Sequence, residues 1–367
     1  MNIAILGSRG IPNKYGGFEQ FAEYLARIFV DRGHKVSVYS GHTHPYKDCF
    51  WEGVEIIHKY DPENQIGTAG QFVYDLNCIL DSRKRKFDII FQLGYTSSSI
   101  WGWLLPRKKS IVVTNMDGLE WKRSKYSRFV KRFLLFAERL GVKYSDWLIS
   151  DSVAIKQYLS EKYRVDSTFI PYGTYRVQEF DENVLNEFSL LKYKYCMIIA
   201  RLEPENNIET ILDGVSASGI SEPFIVIGNH ETKYGAYLKK KYENNVEIHF
   251  IGGLYDINKL NSLRYFARIY FHGHSVGGTN PSLIEAMGSG AFICAHDNIF
   301  NRTILGEDAL YFSNSDDVRA IYSGKIYLDY DIPKNNNFSK VDRLYHWDVI
   351  AKQHEVLFER LLLERRR

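Results

Sequence analysis

Short apolar runs alternate along the chain with segments whose apolar residues recur at helical spacing, and glycine-rich loops fall between them. Asn2 to Leu6 reads as a buried strand. It leads through Gly7-Ser8-Arg9-Gly10-Ile11-Pro12 and Tyr15-Gly16-Gly17-Phe18-Glu19 into a helix, Glu19 to Asp31, with Phe21, Leu25, Ile28 and Phe29 on one face and Gly33 as its stop. His34 to Tyr39 is the next strand. Further strands are predicted at Val54 to His58, Asp88 to Leu93, Ser110 to Thr114 and Leu148 to Ser152, with a helix between Gly70 and Arg83 and a basic helical segment from Trp121 to Lys143. Thr168 to Gly173 carries Pro171 and Gly173, which suit a hinge.

The alternation resumes beyond it. Strands are predicted at Tyr195 to Ala200, Pro223 to Gly228, Val246 to Ile251, Ala267 to Phe271 and Ala291 to Ala295. Helices fall at Asn207 to Ser216, Tyr234 to Tyr242 and Ile257 to Tyr265, and Trp347 to Leu363 forms a long terminal helix. The expectation is an α/β protein of two Rossmann-like, doubly wound domains, 1–172 and 173–346, facing a central cleft, with the tail helix (347–367) returning to the first. Ligands of such sheets sit beyond the carboxyl ends of the strands, so the loops there hold the candidate residues.

Composition narrows the function. A length of 367 residues favours two cores, and 45% apolar residues can fill them. The net charge of +3 is too small to imply nucleic acid, and no nucleic-acid partner is expected. Cys49, Cys78, Cys196 and Cys294 are scattered without a CxxC pair, which suggests reduced thiols in a cytoplasmic protein and no zinc site. No run is apolar enough to span a bilayer, so any membrane contact is expected to be peripheral. The chain opens on a strand without a signal-peptide pattern. Trp121 to Lys143 interleaves Lys122, Arg123, Lys131 and Arg132 with Trp121, Phe129, Phe133 and Phe136, a pattern suited to anionic headgroups or to a solvated basic helix face.

The most informative stretch is His272 to Gly290. A strand, a loop with Gly277, Gly278 and Thr279, an N-cap at Asn280 and Pro281 in the first turn together offer free N–H groups and a positive helix end for a diphosphate. One turn into this helix Glu285 can accept from vicinal hydroxyls. In the first half, Asp117 of Asn115-Met116-Asp117-Gly118 follows a strand end, as does Tyr95 of Gly94-Tyr95-Thr96-Ser97. The first loop does not fit G-x-G-x-x-G, and Tyr39-Ser40-Gly41 supplies no acidic residue for a ribose, which counts against a dehydrogenase. His272 and His274 read as loop-shaping residues, since no third metal ligand accompanies them, and His42 and His44 read likewise. Asp316-Asp317 reads as a helix start.

Ala200-Arg201-Leu202-Glu203-Pro204-Glu205-Asn206-Asn207, with the glycine-rich loop before Pro281-Ser282-Leu283-Ile284-Glu285-Ala286-Met287, resembles the donor half of a family four retaining glycosyltransferase of the GT-B fold. The opening loop, Asn115 to Arg123 and Gly277-Gly278-Thr279-Asn280 resemble its bacterial rhamnosyltransferase branch. The resemblance implies that Arg201 holds the donor diphosphate and Glu285 the nucleotide sugar. The family's lysine falls on Asn206, its earlier glutamate on Gly277, and the broader family's N-domain histidine on Asp117.

What the resemblance implies is transfer of a sugar, L-rhamnose from dTDP-rhamnose, to a lipid-diphosphate-linked saccharide at the inner face of the plasma membrane, without cofactor or metal. Arg201 and Asp117 would be catalytic. Gly16, Gly17, Arg201, Asn206, Gly277, Gly278, Thr279, Asn280 and Glu285 would bind the donor. Glu19, Tyr95, Trp121, Lys122, Arg123, Lys131 and Arg132 would form the acceptor or membrane face. A non-catalytic nucleotide-sugar or saccharide-binding subunit is the alternative, motivated by Asn206 and Gly277; a nucleotide-sugar oxidoreductase or epimerase lacks its fingerprint.

Overall fold

A parallel strand buried on both faces requires an unbroken apolar run, and the chain spends its runs on two separate sheets. In the computed structural model, which describes residues 1–14, 16–116, 118–123, 126–324 and 331–366, Met1–Gly173 with Trp347–Arg367 forms one unit and Thr174–His346 the other.

The first unit holds β1 (Asn2–Leu6), β2 (Lys35–Gly41), β3 (Phe50–Trp51), β4 (Val54–Lys59), β5 (Ile89–Leu93), β6 (Ile111–Asn115), β7 (Trp147–Ser150) and β8 (Thr168–Phe169). Their order across the sheet is β3-β4-β2-β1-β5-β6-β7-β8. All neighbours run parallel except β3 and β4, and Ile5 sits between Val38 and Phe91. The antiparallel pair closes on Glu52 and Gly53, both at positive φ (44° and 81°), the backbone sense of a two-residue hairpin. A two-residue strand has no period to read, so the pattern reading missed β3.

The second unit holds β9 (Cys196–Ile199), β10 (Phe224–Ile227), β11 (Ile248–Gly252), β12 (Ile269–His272), β13 (Ile293–His296) and β14 (Leu310–Phe312) in the order β11-β10-β9-β12-β13-β14, all parallel. Ile198, Val226, Phe271, Phe292 and Cys294 fill one face of this sheet.

In each sheet the connections reverse direction once. The reversal falls between β1 and β5 in the first and between β9 and β12 in the second, and the loops at these two points are where an open α/β sheet binds ligands. The terminal helix Trp347–Arg366 packs on the Gly17–Asp31 helix of the first unit. Trp347 stacks on Tyr24 at 5.0 Å, Phe358 meets Phe29 at 6.1 Å, and His34 Nε2 lies 2.9 Å from a Glu355 oxygen. Burying each such aromatic contributes about 1.5–3 kcal/mol, which fixes the helix to this unit.

The expected single helix from Trp121 to Lys143 is two elements: a turn, Glu120–Lys122, and a helix, Arg128–Tyr144. The Ser127 hydroxyl accepts from Val130 N (3.4 Å) and starts the helix there, because an N-cap hydroxyl satisfies an otherwise unpaired first-turn donor. Helices Val153–Tyr163, Ile299–Leu305 and Asp331–Lys340 were not anticipated. Only Ile155 and Leu159 are buried in the first of these, too few for a periodic signal. The helix Ser315–Tyr322, capped by Asn314, carries Asp316 and Asp317 in its first turn.

Candidate functional site

The second sheet's switch point is assembled from loops laced together by asparagine side chains. Gly273, the first residue after β12, lies so close to the loop after β9 that a Cβ there would sit 1.9 Å from the Asn206 carbonyl oxygen. Asn207, in the left-handed region at φ 49°, donates from Nδ2 to the Gly273 carbonyl at 2.8 Å. Ser275 donates from its backbone N–H (3.1 Å) and hydroxyl (2.8 Å) to the Glu205 carbonyl. From the far side Asn298 and Asn301 both donate to the His274 carbonyl, at 3.0 and 3.1 Å.

These bonds anchor residues 273–275, which lead into the run Gly277 to Asn280. A Cβ built on Gly277 would meet nothing within 4 Å. Asn280 caps the helix Pro281–Gly288 by accepting from Ser282 N at 3.0 Å, and Thr279 beside it is buried. A capped helix start leaves first-turn N–H groups and a positive helix end that can meet an anion. Arg201, on the facing loop, is exposed, and its guanidinium pairs with no described residue. It can therefore meet an anion without giving up an internal partner.

Two residues expected at this site also bond within the scaffold. Asn206 is buried and donates from Nδ2 to the Arg201 carbonyl at 2.7 Å, so its amide shapes the loop that carries Arg201. Glu285 accepts from Arg264 at 2.8 Å, a fully buried arginine of the helix Ile257–Phe266. Arg264, Asn207, Asn298 and Asn301 were missed; only the left-handed tendency of an Asn-Asn pair before a helix gave any signal.

His272 departs from expectation as well. It is fully buried, and neither ring nitrogen has a hydrogen-bond partner among the described residues; its ring stacks on His274 with centroids 4.5 Å apart. The loop is shaped by the asparagines and not by this ring. Burial first, then the nearby His274, Arg264 and His296, hold its pKa well below the usual histidine range, so it stays neutral. Among the described residues no group of three His, Cys, Asp or Glu is arranged to hold a metal ion.

The first sheet's switch point repeats the close approach with other chemistry. A Cβ on Gly7, at φ 91°, would lie 2.3 Å from the Leu93 carbonyl oxygen of β5. Gly16 caps the helix Gly17–Asp31. Glu19, expected on an outer face, is buried and accepts from the backbone N–H of Arg9 at 2.7 Å, because that loop N–H has no strand partner. Arg9 grips Glu63 through Nε and Nη2, both at 2.7 Å. Asp75, buried on the helix Gly70–Ser82, accepts from the Ser97 hydroxyl, and burial pushes its carboxyl up to about 7. Ser8 Oγ, Ser40 Oγ, Gln92 Nε2, Ser99 Oγ and Asn115 Oδ1 are buried here without a hydrogen-bond partner among the described residues. Asp117 lies outside the described residues.

The outer-face group divides. Tyr95 is buried beside Glu138, and Trp121 packs on Tyr158 with the Lys162 ammonium 5.5 Å from its ring centroid. Arg123 pairs with Glu120 at 2.6 Å. Lys122 and Arg132 are exposed and Lys131 half-buried, and Phe129 and Phe136 stand out beside them at 83% and 52% exposure.

A family described as a domain of unknown function (DUF1972) matches residues 1–175. No curated protein matches the chain. Among solved structures it is similar to sucrose-phosphate synthase from Thermosynechococcus elongatus, with a TM-score of 0.80, 17% identity and 99% of both chains covered. It is also similar to HepE of Anabaena in complex with UDP and glucose (TM-score 0.74, 14% identity, 97% of this chain and 98% of that one). A third is WaaG, a glycosyltransferase involved in lipopolysaccharide biosynthesis (TM-score 0.70, 12% identity, 97% and 99% covered). At these identities the shared property is architecture: the chain has the two-domain α/β GT-B fold.

Proposed function

We propose that the protein is a retaining glycosyltransferase that moves L-rhamnose from dTDP-rhamnose onto a lipid-diphosphate-linked saccharide in bacterial surface polysaccharide assembly. The observation that carries the reading is the placement, at one switch point, of an Arg201 guanidinium with no partner among the described residues, a capped helix start and Glu285 one turn beyond. HepE, of the same fold, binds UDP and glucose, which supports a nucleotide-sugar donor.

The chemistry follows from charge. As the bond from the sugar's anomeric carbon to the diphosphate oxygen breaks, the electron pair leaves with the nucleoside diphosphate. Arg201 and the helix start would stabilise that negative charge, a task that positive groups perform without a metal ion. The acceptor oxygen bonds to the same face of the anomeric carbon, and its proton passes to the departing phosphate. Asp117 would orient the acceptor or stabilise positive charge on the sugar ring. Gly277 leaves open the position where the resembled family carries a glutamate, which suits a 6-deoxy sugar. The buried hydroxyls and amides at the first switch point suit a polyhydroxylated acceptor.

The exposed Phe129 and Phe136, with Lys122, Lys131 and Arg132, would rest on anionic headgroups at the cytoplasmic side of the plasma membrane, each basic residue adding about 1 kcal/mol. Among the described residues no helix is long and apolar enough to cross a membrane.

The deciding experiment incubates the protein with a panel of nucleotide sugars and a synthetic lipid-diphosphate-linked GlcNAc or glucose, and reads product mass. A gain of one deoxyhexose from dTDP-rhamnose alone is expected. Transfer of another sugar would keep the reaction and discard rhamnose. Nucleotide binding without transfer to any acceptor would favour a non-catalytic binding subunit. Asp117→Asn should slow turnover about 100-fold or more while sparing nucleotide affinity.

A further inference from the structure

Arginine is rarely buried without a partner, since its guanidinium stays charged. Arg264 is 1% exposed. Its Nη2 donates to Glu285 Oε2 at 2.8 Å and reaches the Ser282 hydroxyl at 3.4 Å, while Nη1 donates to Asn261 Oδ1 at 3.2 Å. The ring of contacts closes through Ser289, whose hydroxyl lies 2.9 Å from Asn261 Oδ1 and 2.7 Å from the Glu285 carbonyl oxygen. Ser282 in turn shares a hydrogen bond with Tyr270 of β12 at 2.7 Å. The network joins the helix Ile257–Phe266, the strand before the glycine-rich loop and the helix after it.

Its members differ in exposure. Arg264, Asn261 and Ser289 are buried, whereas the Glu285 side chain keeps 15% of its surface. Packing two helices needs no such charge. Leu260, Leu263, Leu283 and Ile284 already supply buried apolar residues on the same helices, and a buried ion pair is often no more stabilising than apolar side chains of equal volume. What the planar guanidinium adds is direction: a charge-assisted bond to one carboxylate oxygen fixes the rotation of the group and the line along which its lone pairs face outward.

We infer that Arg264 is a positioning residue for the donor nucleoside: it holds the Glu285 carboxylate in the orientation that accepts from ribose hydroxyls, and so sets nucleoside recognition apart from diphosphate binding. This rests on the nucleotide-sugar reading of the site. Arg264 itself touches no substrate. It acts through Glu285, and the diphosphate, held by Arg201 and the helix start, does not depend on it.

Titration calorimetry of the full chain with UDP, dTDP and inorganic pyrophosphate tests this. Arg264→Met should weaken UDP about tenfold or more, the cost of one misdirected charged hydrogen bond, and leave pyrophosphate unchanged. Glu285→Gln should do the same, and the double variant should bind no more weakly than either. Arg264→Lys keeps the charge but not the fork and should fall between wild type and Arg264→Met, which also serves if Arg264→Met does not fold. Unchanged UDP affinity, an equal loss for pyrophosphate, or additive losses in the double variant would overturn the positioning role. If the wild-type protein binds neither UDP nor dTDP, the nucleotide-sugar reading fails, and this inference with it.

Discussion

The two switch points share a topology and differ in chemistry. In each, a glycine lets one loop press on a carbonyl oxygen of the other, Gly7 on Leu93 and Gly273 on Asn206. Around Gly7 stand carboxyls and neutral groups: Asp75 with its raised pKa, Glu19 and Glu63 engaged by Arg9, and the Ser8, Ser40, Gln92 and Asn115 side chains, which have buried polar atoms without a partner among the described residues. Around Gly273 stand a guanidinium with no partner among the described residues, a neutral buried histidine and a helix start. An edge rich in N–H groups and positive charge favours an anion, and one rich in hydroxyls and carboxyls favours sugar hydroxyls. One sheet topology thus presents two kinds of chemistry because the loops, not the strands, carry the charge.

The largest test of this contrast removes the Arg201 guanidinium. Arg201→Ala should lower turnover by about 10²–10³, the usual cost of losing one group that stabilises developing negative charge, and should weaken pyrophosphate binding as well. Steady-state kinetics and calorimetry check both; normal turnover would remove Arg201 from the site.

The two edges should also respond to pH with opposite sign. Asp75 is protonated in the folded chain up to about 7 but ionises near 3.8 when unfolded, so its contribution is full below pH 4 and is lost as pH rises toward 7. The loss is of order 4 kcal/mol at most. Asp75→Asn should therefore hold its stability between pH 5 and 8, where wild type declines, as urea unfolding at both pH values would report. His272 acts in reverse: its depressed pKa supports stability above about 6.5 and withdraws it as pH falls. Substituting His272→Phe should flatten the acid side instead.

Methyl-sized insertions sharpen the comparison. Gly273→Ala and Gly7→Ala each place a Cβ against a carbonyl oxygen, and each should cost about 1–3 kcal/mol in thermal unfolding. Only the first should also weaken nucleoside diphosphate binding. If both weaken it equally, the separation of roles between the two edges is wrong. The smallest effect concerns the outer helix: Arg132→Glu should reduce binding to anionic vesicles by about 1–2 kcal/mol without changing nucleotide affinity in solution.

Much of this was legible in the chain itself. Buried parallel strands must be apolar throughout, so Ile3 to Leu6, Ile89 to Phe91 and Ile269 to Phe271 announce themselves, and Asn280-Pro281 announces a helix start. Elements whose apolar signal was short or sparse, such as β3 and the helix Val153–Tyr163, did not. The site was half legible for a similar reason. Arg201 and Glu285 stand in recognisable local motifs, whereas Arg264 lies twenty-one residues before the carboxylate it holds, on a different helix, and nothing local marks it. Glu19 and Asn206 show the converse, since polar residues that read as ligands turn inward to satisfy backbone groups of their own loops.

The sequence by itself therefore determined the two α/β sheets, the positions of the ligand-edge loops and the types of polar group on them, because strand period, glycine and helix capping act over a few residues. Tertiary structure alone decided which of those groups are spent and which remain. Whether a side chain meets solvent or a backbone carbonyl depends on strands brought together by crossovers tens of residues long, and hydrogen-bond satisfaction is settled only once they meet.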